Sequence, residues 1–420
     1  MTLLPDRSVT HIHGPEEISW GPEELVVLCL VRDGRPYMKS FIEHYFSLGV
    51  KHIVFLDNGS TDGTVQVASD YDGVTVVQTT LPYKKYRHEM KQYLLERFAM
   101  QDRWVLLVDI DELFDYPRSG VIGLAEFLGR LNNRGYTAVV AQMLDMFPEK
   151  PLSPDLAVQK DMPLKQVHRF YDISNVLMVD YGRHPWVLDN EVSNPEIMAM
   201  RGGIRKTLFD ANVTLTKHPL MFMDGKIRPI EDSAHWTNGA RIADISCVLY
   251  HYKFMENFYE QTHRAVREES YANGSAEYKK YLRVLEHTPT LRLKRETATE
   301  LQSTDELIAS GFIVVSEDYE LWANAKEDAL VADLARNDPQ RLAEAFLRLR
   351  METQKGARVT RRLNREVYDR GLKIAELKSR LMQRTESLQR LRKELALVQS
   401  SRIWKIIHRV GLAKNRALKR

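Results

Sequence analysis

Residues 104–115, WVLLVDIDELFD, reverse polarity within a single step. Five apolar residues, Trp104 to Val108, suit a strand buried on both faces of a parallel sheet, and Asp109, Asp111 and Glu112 follow at once. A buried strand that ends in three carboxylates puts them at the carboxyl edge of the sheet, where open α/β folds bind ligands. If the backbone stays extended there, Asp109 and Asp111 share a face and can converge on one hard cation, while Ile110 turns into the core. The competing use of the same side chains is to cap the following helix.

The chain before this stretch builds toward it. Residues 25–31, LVVLCLV, form another solid apolar run that ends in Arg32-Asp33-Gly34, and Pro36 opens a helix expected over 37–48, closed by Gly49. A second strand over 52–56 runs into Asp57-Asn58-Gly59-Ser60-Thr61-Asp62-Gly63-Thr64, a turn-rich loop that opens another helix. Strand, helix and strand in this order make a βαβ unit, whose right-handed crossover places both loops on one edge. A third strand is expected over 74–79, a helix over 83–100, a helix over 123–132 and a strand over 137–143. Residues 148–163 read as a proline-punctuated loop. From 167 to 251 short strands alternate with loops dense in His, Trp and Arg, a pattern of sites more than of cores. Helix returns over 255–284, residues 312–315 look strand-like, and a further helix is expected over 327–350.

Composition narrows the function class. The 60 basic and 57 acidic residues leave a net charge of +3, too balanced for a nucleic-acid binder as a whole. The two cysteines, Cys29 and Cys247, both lie in apolar strand patterns, so neither a disulfide framework nor a cysteine zinc site is expected. The N-terminus lacks a basic start followed by an apolar core, and no window holds eighteen uninterrupted apolar residues. The expectation is a cytoplasmic protein.

The C-terminal part changes character. Val367, Ile374, Leu377, Leu381, Leu388, Leu391, Leu395 and Val398 recur at alternating spacings of four and three, with Arg370 and Arg384 in the two remaining seam positions. This pattern predicts a coiled coil and, through it, a homo-oligomer. Residues 402–420, RIWKIIHRVGLAKNRALKR, carry no acid and have an apolar stripe, which suits peripheral contact with the anionic inner face of a membrane.

The DNGSTDGT loop and the DxDE motif, at the ends of two strands of one sheet, together resemble family 2 glycosyltransferases of the GT-A fold. The later pieces KHPLMF, HW and LYHYKF extend the resemblance over residues 25–281, although many members carry two aspartates where this chain has Asp57-Asn58. The resemblance implies a mixed α/β sheet flanked by helices, a nucleotide-sugar donor, a glycan or glycolipid acceptor, and transfer with inversion. It implies Mn²⁺ or Mg²⁺ held by Asp109 and Asp111 with His235 as a third ligand, and donor contacts from Arg32, Asp57, Asn58, Asp109 and Lys217. Inversion requires a group to take the acceptor's proton, for which Glu231 and Asp232, beside His235, are the first candidates.

The expected organisation is an N-terminal arm (1–23), a GT-A domain (24–290), a mostly helical extension (291–350), the coiled coil (351–400) and a basic amphipathic tail (401–420). Two other readings use the same residues. A sugar nucleotidyltransferase would carry a glycine-rich, basic loop after its first strand, where this chain has RDGRP. An inactive glycosyltransferase-like scaffold would act through its coiled coil alone.

Overall fold

A computed structural model describes residues 4–5, 8–152, 162–230, 234–255, 257–269 and 272–337. Glu231, Asp232, the coiled coil and the basic tail lie outside the described residues.

Among the described residues, ten strands form one mixed sheet: β1 (Thr10–His13), β2 (Leu25–Val31), β3 (His52–Asp57), β4 (Val74–Gln78), β5 (Trp104–Leu107), β6 (Glu112–Asp115), β7 (Ala138–Asp145), β8 (Glu191–Val192), β9 (Thr216–Phe222) and β10 (Arg241–His251). Their spatial order is β1-β4-β3-β2-β5-β9-β7-β10-β8, with β6 paired to β10. Strands β4, β3, β2 and β5 run parallel. Strand β9 then enters antiparallel between β5 and β7, and β10 lies parallel to β7. The architecture is a Rossmann-like α/β fold.

Why the parallel strands read as unbroken apolar runs is plain from their burial. All seven residues of β2 are buried, Leu25, Val27, Cys29 and Val31 in one core and Val26, Leu28 and Leu30 in another on the opposite face. Helix α1 (Arg35–Leu48) covers the first face with Met38, Phe41, Ile42 and Tyr45, joined by α4 (Leu124–Asn133) through Phe127, Leu128 and Leu131. Between them in the chain come α2 (Thr64–Ser69) and α3 (Tyr83–Phe98), and α3 covers the second face with Met90, Leu94 and Phe98. Gly49, at φ 98°, ends α1 in the left-handed cap that the sequence predicts.

Several elements depart from expectation for physical reasons. The N-terminal arm contributes β1, which pairs antiparallel with β4 and covers that edge of the sheet. The helix expected over 255–284 is two, Phe258–Glu268 and Ala272–His287, parted after Glu269 turns left-handed at φ 46°. Residues 312–315 make no strand. Phe312 and Ile313 are apolar because they enter the core, their N–H groups donating to Leu307 O at the end of a short helix. The last described helix starts at Glu317, ten residues before the sequence suggests. Both cysteines are buried thiols. No helix among the described residues is long and apolar enough to cross a membrane.

Candidate active site

The carboxyl ends of β2, β3 and β5 meet at one edge, and bonds from backbone N–H groups to side-chain oxygens knit the loops after β2 and β3. Asp33 N and Gly34 N donate to Ser60 Oγ and Thr64 Oγ1, both at 2.8 Å, while Thr61 N donates to Asp33 Oδ1 and Arg35 N to Asp62 Oδ2, both at 3.0 Å. A Cβ on Gly34 would stand 2.5 Å from Val31 Cγ2 and 3.1 Å from Ile110 Cγ1, so only glycine lets the loop after β2 approach the turn after β5.

Asp57 is fully buried at the tip of β3. Its Oδ2 accepts from Gly59 N, Ser60 N and Gln78 Nε2, whereas Oδ1 has no partner among the described residues. Asn58 donates through Nδ2 to the carbonyls of Thr79 and Leu81, and its Oδ1 is likewise unmatched. Both residues therefore brace the loop and keep one acceptor in reserve. Arg32 is exposed at the rim, 4.0 Å from Asp33, which Arg264 also holds at 3.0 Å.

Between Asp109 and Glu112 the chain turns instead of staying extended: Glu112 N donates to Asp109 O at 3.0 Å. The two aspartates therefore do not converge by sharing a strand face, and each meets different partners. Asp109 is gripped by two lysines, Lys91 Nζ at 3.0 Å and Lys217 Nζ at 2.8 Å. Lys217, projecting from β9, also bonds Glu112 Oε1 at 2.5 Å. Asp111 instead faces His251 Nε2 at 3.3 Å, and its carbonyl accepts from Tyr252 N. One oxygen each from Asp111 and Glu112 and one nitrogen of His251 lie within 4.8 Å of one another, close enough to hold one metal ion.

The electrostatics follow from this packing. Burial opposes the charge on Asp109, but Lys217 and Lys91 outweigh it and hold the carboxyl well below the usual range. Glu112, 1% exposed, goes the other way: burial pushes it up, with Lys217 opposing and Asp109 and Asp111 adding to the rise. Burial would also drive the proton off His251, yet Asp111 and Asp145 prevail and raise its pKa to about 9. Without a metal, that proton is the cation between Nε2 and Asp111.

The placement of the expected residues is uneven. Asp111 stands in the metal-donor group. Asp109 and His235 are not part of that group, which Glu112 and His251 complete among the described residues. His235 is half-buried, its Nδ1 bonds Thr216 O at 3.1 Å, and burial together with Lys217 pushes its pKa down to about 3. Lys217, expected at the donor, is 5% exposed with its ammonium held by two carboxylates. Arg205 is buried against Asp145. Asp145 itself escaped notice because the strand before it was expected to stop at 143, whereas β7 runs on and pairs Asp145 with His251 in register.

No known protein-family model and no curated protein matches the chain. Among solved structures it is similar to a nucleotidyl transferase from Methanothermobacter thermautotroptrophicus, at 10% identity over 30% of this chain and 63% of that one, with a TM-score of 0.17. A likeness that slight carries no argument about function.

Proposed function

We propose that the chain is a metal-dependent glycosyltransferase of the GT-A type, transferring a sugar with inversion from a nucleotide-sugar donor to a glycan or glycolipid acceptor. The observation that carries this reading is the metal-donor group Asp111, Glu112 and His251, set on the sheet edge that also holds the DNGSTDGT loop.

The donor set fits a divalent ion. Two carboxylates and an imidazole suit Mn²⁺ better than Mg²⁺, which prefers oxygen alone. His251 Nδ1 donates to Asp145 at 2.6 Å, leaving Nε2 for the ion, the usual orientation of a metal-binding histidine. Bound there, the ion would act as a Lewis acid that neutralises the leaving diphosphate. The chain's own residues supply the rest. Asp57 Oδ1 and Asn58 Oδ1, buried acceptors without partners among the described residues, suit the N–H of a base or a ribose hydroxyl. Exposed Arg32 and the largely buried Lys91, the latter shared with Asp109, border the phosphate position. Glu231 and Asp232 are the proposed bases that take the acceptor's proton.

A second reading has its own support. Lys217 already sits between Asp109 and Glu112 as a resident cation, which suits a glycosyltransferase-like scaffold that no longer needs metal.

Thermal unfolding with a panel of nucleotide sugars, with and without Mn²⁺, separates the two. A donor present at a hundred times its dissociation constant stabilises the folded state by about 2.7 kcal/mol, a shift of several degrees. The glycosyltransferase reading expects such a shift for one donor, only with the ion. No shift with any donor supports the scaffold.

A further inference from the structure

We propose that Asp145 and Arg205 are positioning residues that lock the His251 ring and aim its Nε2 at the ion. The proposal rests on the reading of Asp111, Glu112 and His251 as a metal site, and extends it to residues that touch neither ion nor substrate.

Parallel pairing of β7 and β10 brings Asp145 and His251 opposite each other at the last rungs of the two strands. Asp145 Oδ1 stands 2.6 Å from His251 Nδ1. Its other oxygen accepts from Arg205 Nε at 2.8 Å, so Asp145 cannot rotate away from the ring without abandoning the guanidinium. Arg205 is held in turn by Glu277 Oε1 at 3.3 Å, and Glu277 accepts from Tyr281 Oη on the helix Ala272–His287.

The backbone is shaped for this reach. Arg205 lies on the short helix Ile204–Phe209, which follows Gly202 and Gly203 at φ 95° and 64°. A Cβ on Gly202 would stand 2.8 Å from Asn175 O, so the sharp turn that aims Arg205 inward needs glycine there. Asp145, Arg205 and His251 have side chains no more than 6% exposed, so water does not compete for these bonds.

The arrangement makes the imidazole's direction a property of the fold. With Nδ1–H committed to Asp145, Nε2 is the nitrogen that faces Asp111 Oδ2, and an ion would take the place of the proton between them. A ring flipped by half a turn would present carbon to Asp145 and lose the bond. Such outer partners of metal-bound histidines are worth roughly 10- to 100-fold in metal affinity.

The test is a Mn²⁺ titration of the full chain followed by electron paramagnetic resonance, on wild type, Asp145→Asn, and the double variant Asp145→Asn/Arg205→Gln. The double variant removes the buried Asp145 and Arg205 charges together and leaves Glu277, whose side chain is 32% exposed and still accepts from Tyr281 Oη, so it keeps the test alive if the single variant fails to fold. Cooperative unfolding with Mn²⁺ bound roughly 10- to 100-fold more weakly is the expected result. Folded variants with wild-type Mn²⁺ affinity overturn the positioning role alone and leave the metal site standing. Wild type that binds no Mn²⁺ sinks the metal reading and this inference with it.

Discussion

Replacing Lys217 with methionine isolates the charge balance of the site. The substitution keeps the aliphatic stem and deletes the ammonium that bonds both Asp109 and Glu112. Breaking a buried pair by removing one partner costs about 3–5 kcal/mol. Asp109 contributes little to this loss, because it keeps Lys91 at 3.0 Å and its side chain is 39% exposed. Glu112 has less reserve: at 1% exposure it keeps, among the described residues, the bond its Oε2 accepts from Asp109 N and the nearby charge of His251. The expected cost is therefore near the lower bound, about 3 kcal/mol. It also has a sign in pH. Burial already raises the Glu112 pKa, and loss of Lys217 raises it further, so the folded variant holds a proton that the unfolded chain releases. Stability of the variant then falls as pH rises above the ordinary carboxylate range. Equilibrium denaturation in chelator at pH 5 and pH 8 measures this, with the larger loss expected at pH 8. A loss below about 1 kcal/mol at pH 8, or one equal at the two pH values, refutes the reasoning.

Two further perturbations probe neighbouring parts of the account. The metal-free His251 pKa, raised from 6.5 to about 9, stabilises the fold fully below pH 6.5, and this contribution disappears as pH climbs through 9. The loss amounts to about 3 kcal/mol, visible as a falling unfolding midpoint in chelator and absent in His251→Gln. Gly34→Val should cost about 1–3 kcal/mol by forcing Val31 and Ile110 apart, and should weaken donor binding with it. A variant as stable as wild type in denaturant would contradict the close approach of the two loops.

How much the sequence reveals depends on the range of the interaction. Strands β2, β3 and β5 were legible because burial on both faces leaves unbroken apolar runs, as every residue of LVVLCLV illustrates. The DNGSTDGT loop announced itself through turn chemistry that acts within eight residues. The geometry of Asp109 and Asp111 did not, because a single backbone bond from Glu112 N turns an extended D-x-D into a bend. Residues brought in from far along the chain were also hidden. Lys217 reaches Glu112 across 105 positions, and His251 reaches Asp145 across 106, through strand order and register that no local pattern records. His251 was visible only as a histidine ending an apolar run, a place where core histidines also occur. Glu231, Asp232 and the heptads fall outside the described residues, so the proposed base and the expected homo-oligomer rest on sequence alone.

Mn²⁺ binding by calorimetry, to wild type and to Asp111→Ala, each with and without a nucleoside diphosphate, tests the central claim most directly. One ion per wild-type chain is predicted, bound more tightly when the diphosphate is present and with apparent affinity rising about tenfold per pH unit below pH 9, as the ion displaces the His251 proton. Asp111→Ala should bind far more weakly while remaining folded. A wild-type chain that takes up no ion under any of these conditions, or an Asp111→Ala variant that binds it equally well, would contradict the account.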